Sequence, residues 1–292
     1  MAYFLLVLTT LFWSGNFVLS RGMHADIPPL SLAFWRWGVA LLILSFFGIR
    51  HLWVQRQIAR KYLRFITVQG FLGVTGFNSL IYMAIQSTTA INAVLVNSCI
   101  PVLIAVFSWI LYKEMMSLRQ CLGVFISLCG VLLIISRGEI TNLLAMNFNR
   151  GDLLVLVAAF FWALYSANLK KYPRELHPFA YLTGIVIAGL IGIFPFYLIE
   201  LNSGKNLILN SASIVSILYV AIFASILAFI FWNRAVRIVG ANKAGPFIHL
   251  MPVFSTILAV IFLGETLHFY HVKGIFLIFF GILMTTVLVA KK

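Results

Sequence analysis

Residues 90–114 read AINAVLVNSCIPVLIAVFSWILYKE, and residues 241–265 read ANKAGPFIHLMPVFSTILAVIFLGE. At an offset of 151, Pro101 falls on Pro252, Val102 on Val253, Ile110 on Ile261 and Glu114 on Glu265. Ala90 and Ala93 fall on Ala241 and Ala244, and the register runs on to set Gly123, Phe125 and Gly130 against Gly274, Phe276 and Gly281. Each stretch is apolar, long enough to cross a bilayer, broken by a proline and closed by a glutamate. The chain therefore reads as two copies of one unit, 1–137 and 151–292, joined by a linker at 138–150.

Working outward, 62% of the 292 residues are hydrophobic and the mean hydropathy is +1.04. A soluble chain this apolar could not cover its surface, so the long apolar runs point to a polytopic membrane protein. Ten spans are expected, at 2–20, 29–49, 64–86, 90–112, 117–136, 151–170, 178–200, 211–232, 241–263 and 270–290, each near the ~20 residues a crossing helix needs. No strand alternation competes. The opening MAYFLLVLTTLFW lacks the basic region and A-x-A site of a cleaved signal and reads as a first span. Cys99, Cys121 and Cys129 fall within spans, without metal-ligand spacing, and are expected as apolar core residues.

The net charge of +14 would suggest nucleic acid in a soluble protein. Here the basic residues sit in short gaps between apolar runs, so they read as topology signals, and no nucleic-acid partner is expected. One set of gaps, with the C-terminal tail, holds fifteen Lys and Arg residues, including Arg50, Arg56, Arg60, Lys61 and Arg64; the opposite set holds only Arg21, Arg137, Arg150 and Lys205. The positive-inside rule then places both termini in the cytoplasm. Five spans per copy is an odd number, so the second copy must lie upside down relative to the first. The charges agree, because the basic bias swaps sides between the copies. The expected fold is an all-α integral membrane protein of ten transmembrane helices, built as two inverted five-helix repeats around a central cavity. Inverted repeats are a device of secondary transporters, with a midplane site and alternating access.

Several stretches also resemble a known family. LFWSGNFVLSRG (11–22), PPLSLAFWRW (28–37), AFFWALYSANLKK (159–171), FWNRAVRIVGANKAG (231–245), MPVFSTILAVIFLGE (251–265) and GIFLIFFGILM (274–284) resemble the drug/metabolite transporter superfamily in its ten-span EamA-type branch. The resemblance covers essentially the whole chain. It implies two inverted five-helix units around a central cavity and export of amino acids or other small metabolites.

Single residues suggest where a substrate would sit. Arg36 lies inside the second span between Trp35 and Trp37, where an arginine costs about 2.5–3.5 kcal/mol on insertion scales. It either attracts an anionic or zwitterionic substrate or snorkels to the outer interface, ~10 Å from Pro29. Trp13 and Asn16 share a helix face, as do Trp162 and Tyr165 at the equivalent positions, and both faces suit a cavity wall or interhelical packing. Asn78 and Tyr82 share a face of the third span. Asn97 stands four residues before Pro101, which frees its carbonyl; Pro252 does the same for Ile248, beside His249. Pro101 and Pro252 read as hinges or plain kinks. His249 could titrate during transport or simply satisfy a buried polar neighbour. Glu114 and Glu265 close equivalent helices and read as end-of-span charges.

All seven acidic residues (Asp26, Glu114, Glu139, Asp152, Glu175, Glu200, Glu265) fall in gaps or at span ends. That weakens a carboxylate proton relay and a cation-drug exporter. No H-E-x-x-H, G-x-S-x-G or nucleotide-binding loop occurs, so neither enzyme nor metal nor cofactor is expected. A channel would need a continuous polar path that these spans lack. The expectation is an inner-membrane carrier of amino acids or related zwitterionic and anionic metabolites, with the lipid bilayer as its surroundings. The alternatives kept are amphipathic drugs and phosphorylated or nucleotide-linked metabolites.

Overall fold

The computed structural model describes residues 1–22, 26–88, 90–144, 149–263 and 266–286. The described residues are all-helical. In chain order they form α1 (Ala2–Gly22), α2 (Pro29–Val54), α3 (Arg56–Lys61), α4 (Leu63–Ile85), α5 (Ala90–Asn97), α6 (Ile100–Tyr112), α7 (Leu118–Ile135) and α8 (Ile140–Leu144). The chain continues through α9 (Arg150–Asn168), α10 (Pro178–Asn202), α11 (Ser211–Val239), α12 (Ala241–Ala244), α13 (Leu250–Leu263) and α14 (Phe269–Thr286). Among the described residues, eight helical stretches are long and apolar enough to cross a membrane, and α1 adds a shorter apolar stretch over Ala2–Phe17. Glu265 lies outside the described residues.

Three local features depart from plain spans. The expected span 241–263 is broken into α12, a 3₁₀ turn over Gly245–His249, and α13. The expected span 90–112 is broken between Asn97 and Ile100. The prolines explain part of both: Pro101 stands in the first turn of α6 and Pro252 early in α13, where a missing N–H costs no helical bond. They begin helices after a break; they do not kink continuous ones. The basic gap 50–63, expected as a loop, is helical, because α2 runs on to Val54 and α3 follows at once.

The outer faces are apolar, and the interior sets polar side chains within an apolar core. Leu42, Phe46, Phe125, Ile191, Ile261 and Phe276 are exposed, while Thr9, Thr10, Ser14, Asn16, Arg36, Gln69 and Asn78 are buried. A bilayer accounts for the apolar outer faces, since lipid solvates them, while the buried polar groups must satisfy one another. Cys121 departs from the core expectation: it is exposed on α7 beside Leu122 and Phe125, and Cys99 and Cys129 are only half-buried. Glu114 pairs with Lys170 at 2.7 Å, where α6 ends near α9.

Buried carboxylates hold helix ends. Asp152 completes a capping box with Asn149 at the start of α9 and also accepts from Asn92 Nδ2 at 3.0 Å and from Thr88 Oγ1. Glu200, near the end of α10, accepts from the Ser31 N–H at 2.7 Å, the Leu30 N–H at 3.1 Å and Ser31 Oγ at 2.9 Å, capping the start of α2. A carboxylate at a helix N-terminus gains from both orphan donors and dipole. Glu200→Gln removes the charge and keeps the shape, so it should lower stability by about 1–2 kcal/mol. Thermal unfolding in detergent checks this; a melt unchanged from wild type would discount the cap.

Candidate functional site

Two π-helical segments build the site. Phe71–Gly76 interrupts α4 and Val220–Leu227 interrupts α11. A π turn displaces backbone carbonyls from their helical partners, and such bulges often mark functional positions. Side chains take up the loose carbonyls here: Asn78 Nδ2 donates to Gly73 O at 2.7 Å, and Ser225 Oγ donates to Val220 O at 2.8 Å. That fixes Asn78 Oδ1 and Ser225 Oγ as acceptors pointing into the space between α4 and α11.

Arg36 of α2 fills that space. Its Nε donates to Ser225 Oγ at 2.8 Å, and its Nη1 donates to Asn78 Oδ1 at 2.8 Å and Tyr82 OH at 2.6 Å. Tyr82 OH in turn donates to Asn16 Oδ1 at 2.9 Å. The guanidinium lies 5.0 Å from the Trp37 ring centre and 5.7 Å from that of Tyr82. Arg36 is 2% exposed, and no carboxylate accepts from it among the described residues. The cation is thus held by neutral groups and aromatic faces, and its charge is not cancelled.

A small internal cavity of about 30 Å³, room for a water or two, opens beside it. Trp13, Asn16, Arg36, Asn78, Tyr82, Asn97 and Trp162 line it, together with Phe17, Phe77, Ile81, Ile100, Phe229, Ile248 and Met251. The aromatic wall is braced: Trp13 meets Trp162 edge-on at 4.9 Å, Trp162 meets Phe229 at 5.5 Å and Phe77 at 4.9 Å. Trp13 Nε1 donates to Ala224 O, a carbonyl of the second π segment, at 3.2 Å. Asn97 Oδ1 is buried and lacks a hydrogen-bond partner. An orphaned acceptor on a cavity wall is a place for a ligand donor. None of the described acidic residues lines the cavity.

Two residues expected on the wall stand behind it. Tyr165 stacks on Trp162 at 5.1 Å and donates to Asn233 Oδ1 at 2.8 Å, one layer out. His249 is fully buried between Ser127 Oγ (2.7 Å from Nδ1) and the Ser98 carbonyl (3.0 Å from Nε2). It spans the breaks before α6 and α13 and touches α7, away from the cavity lining. Its neighbours Ile248 and Met251 take the wall, because the 3₁₀ turn rotates the histidine away. Ser225 was missed by the sequence reading. It is an isolated hydroxyl in AIFASILAFI (221–230), which was the available signal.

A many-span helical protein with a cation-bearing cavity sealed among lipid-facing helices is built as a membrane transporter. The chain belongs to the EamA-like transporter family, whose model matches residues 1–136 and 149–287. It is 27% identical to the uncharacterized transporter YyaM of Bacillus subtilis (strain 168), over 96% of this chain and 92% of that one. It is 29% identical to an uncharacterized transporter of Archaeoglobus fulgidus, over 97% and 96%. It is 28% identical to the "probable amino-acid metabolite efflux pump" of Salmonella typhimurium (strain LT2), over 96% and 92%. A solved crystal structure superposes at TM-score 0.79 over 98% of this chain and 96% of its own, at 19% identity, a likeness of fold. The protein is a multi-pass membrane transporter and not an enzyme.

Proposed function

We propose that the protein exports small zwitterionic or anionic metabolites, amino acids first, by alternating access of two inverted five-helix repeats, 1–137 and 151–292. The observation that carries the substrate class is Arg36: a buried cation, uncompensated among the described residues, on the wall of a cavity that no described carboxylate lines. It would hold the substrate carboxylate. The orphaned Asn97 Oδ1 would take the ammonium, and the walls of Trp13, Trp162, Phe77 and Phe229 would take the side chain. The name of the Salmonella relative supports the same class. A hydrophobic cation would meet Arg36 with like charge, which disfavours cationic drugs.

Packing supports the inverted repeat. Gly123 abuts Gly281 and Gly130 abuts Gly274; the offset of 151 turns each contact into the other with the partners exchanged, as a twofold axis would. The same holds at an offset of 149 between α2 and α10, where Phe34 stacks on Tyr197 at 4.3 Å and Gly48 abuts Thr183. Ser98 and His249 are equivalent positions that touch each other. The breaks beside Pro101 and Pro252 would be the hinges, the termini would be cytoplasmic, and the membrane would be the inner membrane.

Uptake of a labelled amino-acid panel into proteoliposomes, with and without a pH gradient, tests the proposal. Saturable uptake of a few amino acids is expected; uptake restricted to phosphorylated compounds would overturn the amino-acid reading. Asn97→Leu removes the orphaned acceptor. It should raise KM for a zwitterion by roughly 5–30-fold, about 1–2 kcal/mol, while leaving thermal stability unchanged or improved. An unaltered KM would remove Asn97 from the ammonium site.

A further inference from the structure

Arg50, Arg56, Arg60, Lys61 and Arg64 crowd fifteen residues that contain no acid. Their role as topology signals does not use where two of them sit. A second cavity, of about 410 Å³, lies between the end of α2, α3, the start of α4 and α10. That volume falls in the range of ligand sites, ~300–1,000 Å³. Trp53, Ile66, Ile187 and Ile191 are among its walls, and Arg56 and Arg60 are the charged groups lining it. No carboxylate lines it, and neither arginine is in an ion pair among the described residues.

The site is built, not merely bare. Gly184 lies on the α10 wall, where a Cβ would come within 2.9 Å of Ile66 Cγ2. From Gly184 to Ile191 the α10 wall runs ~10 Å along the helix axis. The basic rim is tied to the turn that leads into α10 through Gln55, whose Nε2 donates to Glu175 O at 3.1 Å and whose Oε1 accepts from the His177 N–H at 2.7 Å. Arg56 lies over the Trp53 ring at 5.2 Å and donates to Trp53 O at 3.3 Å. One end of the groove is therefore cationic, with Arg56 and Arg60 exposed; the other is apolar and lies along α4 and α10, two stretches long and apolar enough to cross a membrane.

An amphipathic anion matches both ends. We infer that this groove binds an anionic glycerophospholipid, with its phosphate on Arg56 and Arg60 and an acyl chain along Ile66, Ile187 and Ile191. A free phosphate would leave the apolar length empty, and a zwitterionic lipid would leave the rim unneutralised. Juxtamembrane basic residues draw anionic headgroups in this way, and the pull weakens as salt screens it.

Native mass spectrometry of the delipidated full-length protein, titrated with phosphatidylglycerol or phosphatidylcholine, tests this. Phosphatidylglycerol should bind first and tighter. Arg56→Gln with Arg60→Gln should weaken it on the order of 30-fold, with phosphatidylcholine binding unchanged. Arg50→Gln with Arg64→Gln removes the same charge outside the groove lining and should weaken it far less. Equal loss in the two double variants would overturn the site in favour of general surface charge. Equal binding of both lipids would reduce it to an annular contact. Displacement by inorganic phosphate at millimolar concentration would assign the arginines to a soluble anion. A protein dimer that excludes phosphatidylglycerol would assign the groove to a second copy of the chain.

Discussion

Replacing Arg36 with methionine is expected to abolish most transport while leaving the melting temperature within a few degrees of wild type. The two sides of the stability account nearly cancel. Removing the guanidinium relieves the cost of holding an arginine inside the membrane, about 2.5–3.5 kcal/mol. It also removes three hydrogen bonds, worth about 0.5–1.5 kcal/mol each. Ser225 still donates to Val220 O and Tyr82 to Asn16 Oδ1, and although Asn78 Oδ1 loses its donor, the adjoining cavity has room for a water to take that place. Function has no such compensation. A charge-assisted contact to a desolvated carboxylate is worth about 2–5 kcal/mol, so kcat/KM for an anionic or zwitterionic substrate should fall about 30-fold or more. Arg36→Lys keeps the charge but cannot donate to three partners through a planar fork, and should fall in between, about tenfold down. Proteoliposome uptake run beside thermal melts separates the cases. Wild-type uptake in Arg36→Met would remove the arginine from the binding site, and a collapse of the melt would make it a structural anchor.

Hydropathy made the fold legible because a bilayer demands long apolar helices and leaves few alternatives. The proposed repeat rests on Pro101 and Pro252, which sit at one offset with their glycine companions. The cavity was half legible. Polar or aromatic residues deep in spans, such as Trp13, Asn16, Arg36, Asn78, Tyr82, Asn97 and Trp162, stand out by their cost, and they do gather on one wall. Phe77, Phe229, Ile248 and Met251 carried no signal, since an apolar wall residue reads like any lipid-facing one. Tyr165 and His249 were placed too far inward for a geometric reason. A continuous α-helix would aim His249 at the cavity, whereas the 3₁₀ turn over Gly245–His249 turns it onto Ser98 and Ser127. The two π segments escaped for the same reason: a register change leaves little trace in hydropathy. The basic segment 50–64 was read for its charge alone, and its helical shape, which creates the groove, was not visible.

The largest loss of stability is expected from filling the contact between α7 and α14. A Cβ on Gly281 would lie 2.4 Å from Gly123 O, 2.6 Å from Ser127 N and 2.8 Å from Ser127 Cβ. Gly123 and Gly130 would meet Gly281 O and Gly274 O at 2.6 Å in turn. The helices touch backbone to backbone, the closest approach the chain allows, and association in lipid depends on such packing because no hydrophobic force adds to it. Two effects compete in Gly281→Ala. Helix propensity favours alanine by at most ~1 kcal/mol. Overpacking typically costs about 1–3 kcal/mol, and here the obstacles are backbone atoms that cannot rotate away, so the upper end applies. A net loss of about 2 kcal/mol is expected for alanine, and no monodisperse protein for Gly281→Leu. Gly38→Ala in α2 is the control, since its Cβ would meet nothing within 4 Å, and it should be neutral or slightly stabilising. If Gly281→Ala melts with wild type, the close approach is wrong. The consequence should also reach function. Ser127, one of the backbone positions Gly281 would strike, holds His249 at 2.7 Å, and His249 holds the Ser98 carbonyl beside the break before α6. Moving α7 away from α14 therefore loosens both breaks at once. In Gly281→Ala reconstituted at low temperature, where it remains folded, both the transport rate and KM for the substrate should change, because Asn97, Ile100, Ile248 and Met251 flank the two breaks and line the cavity.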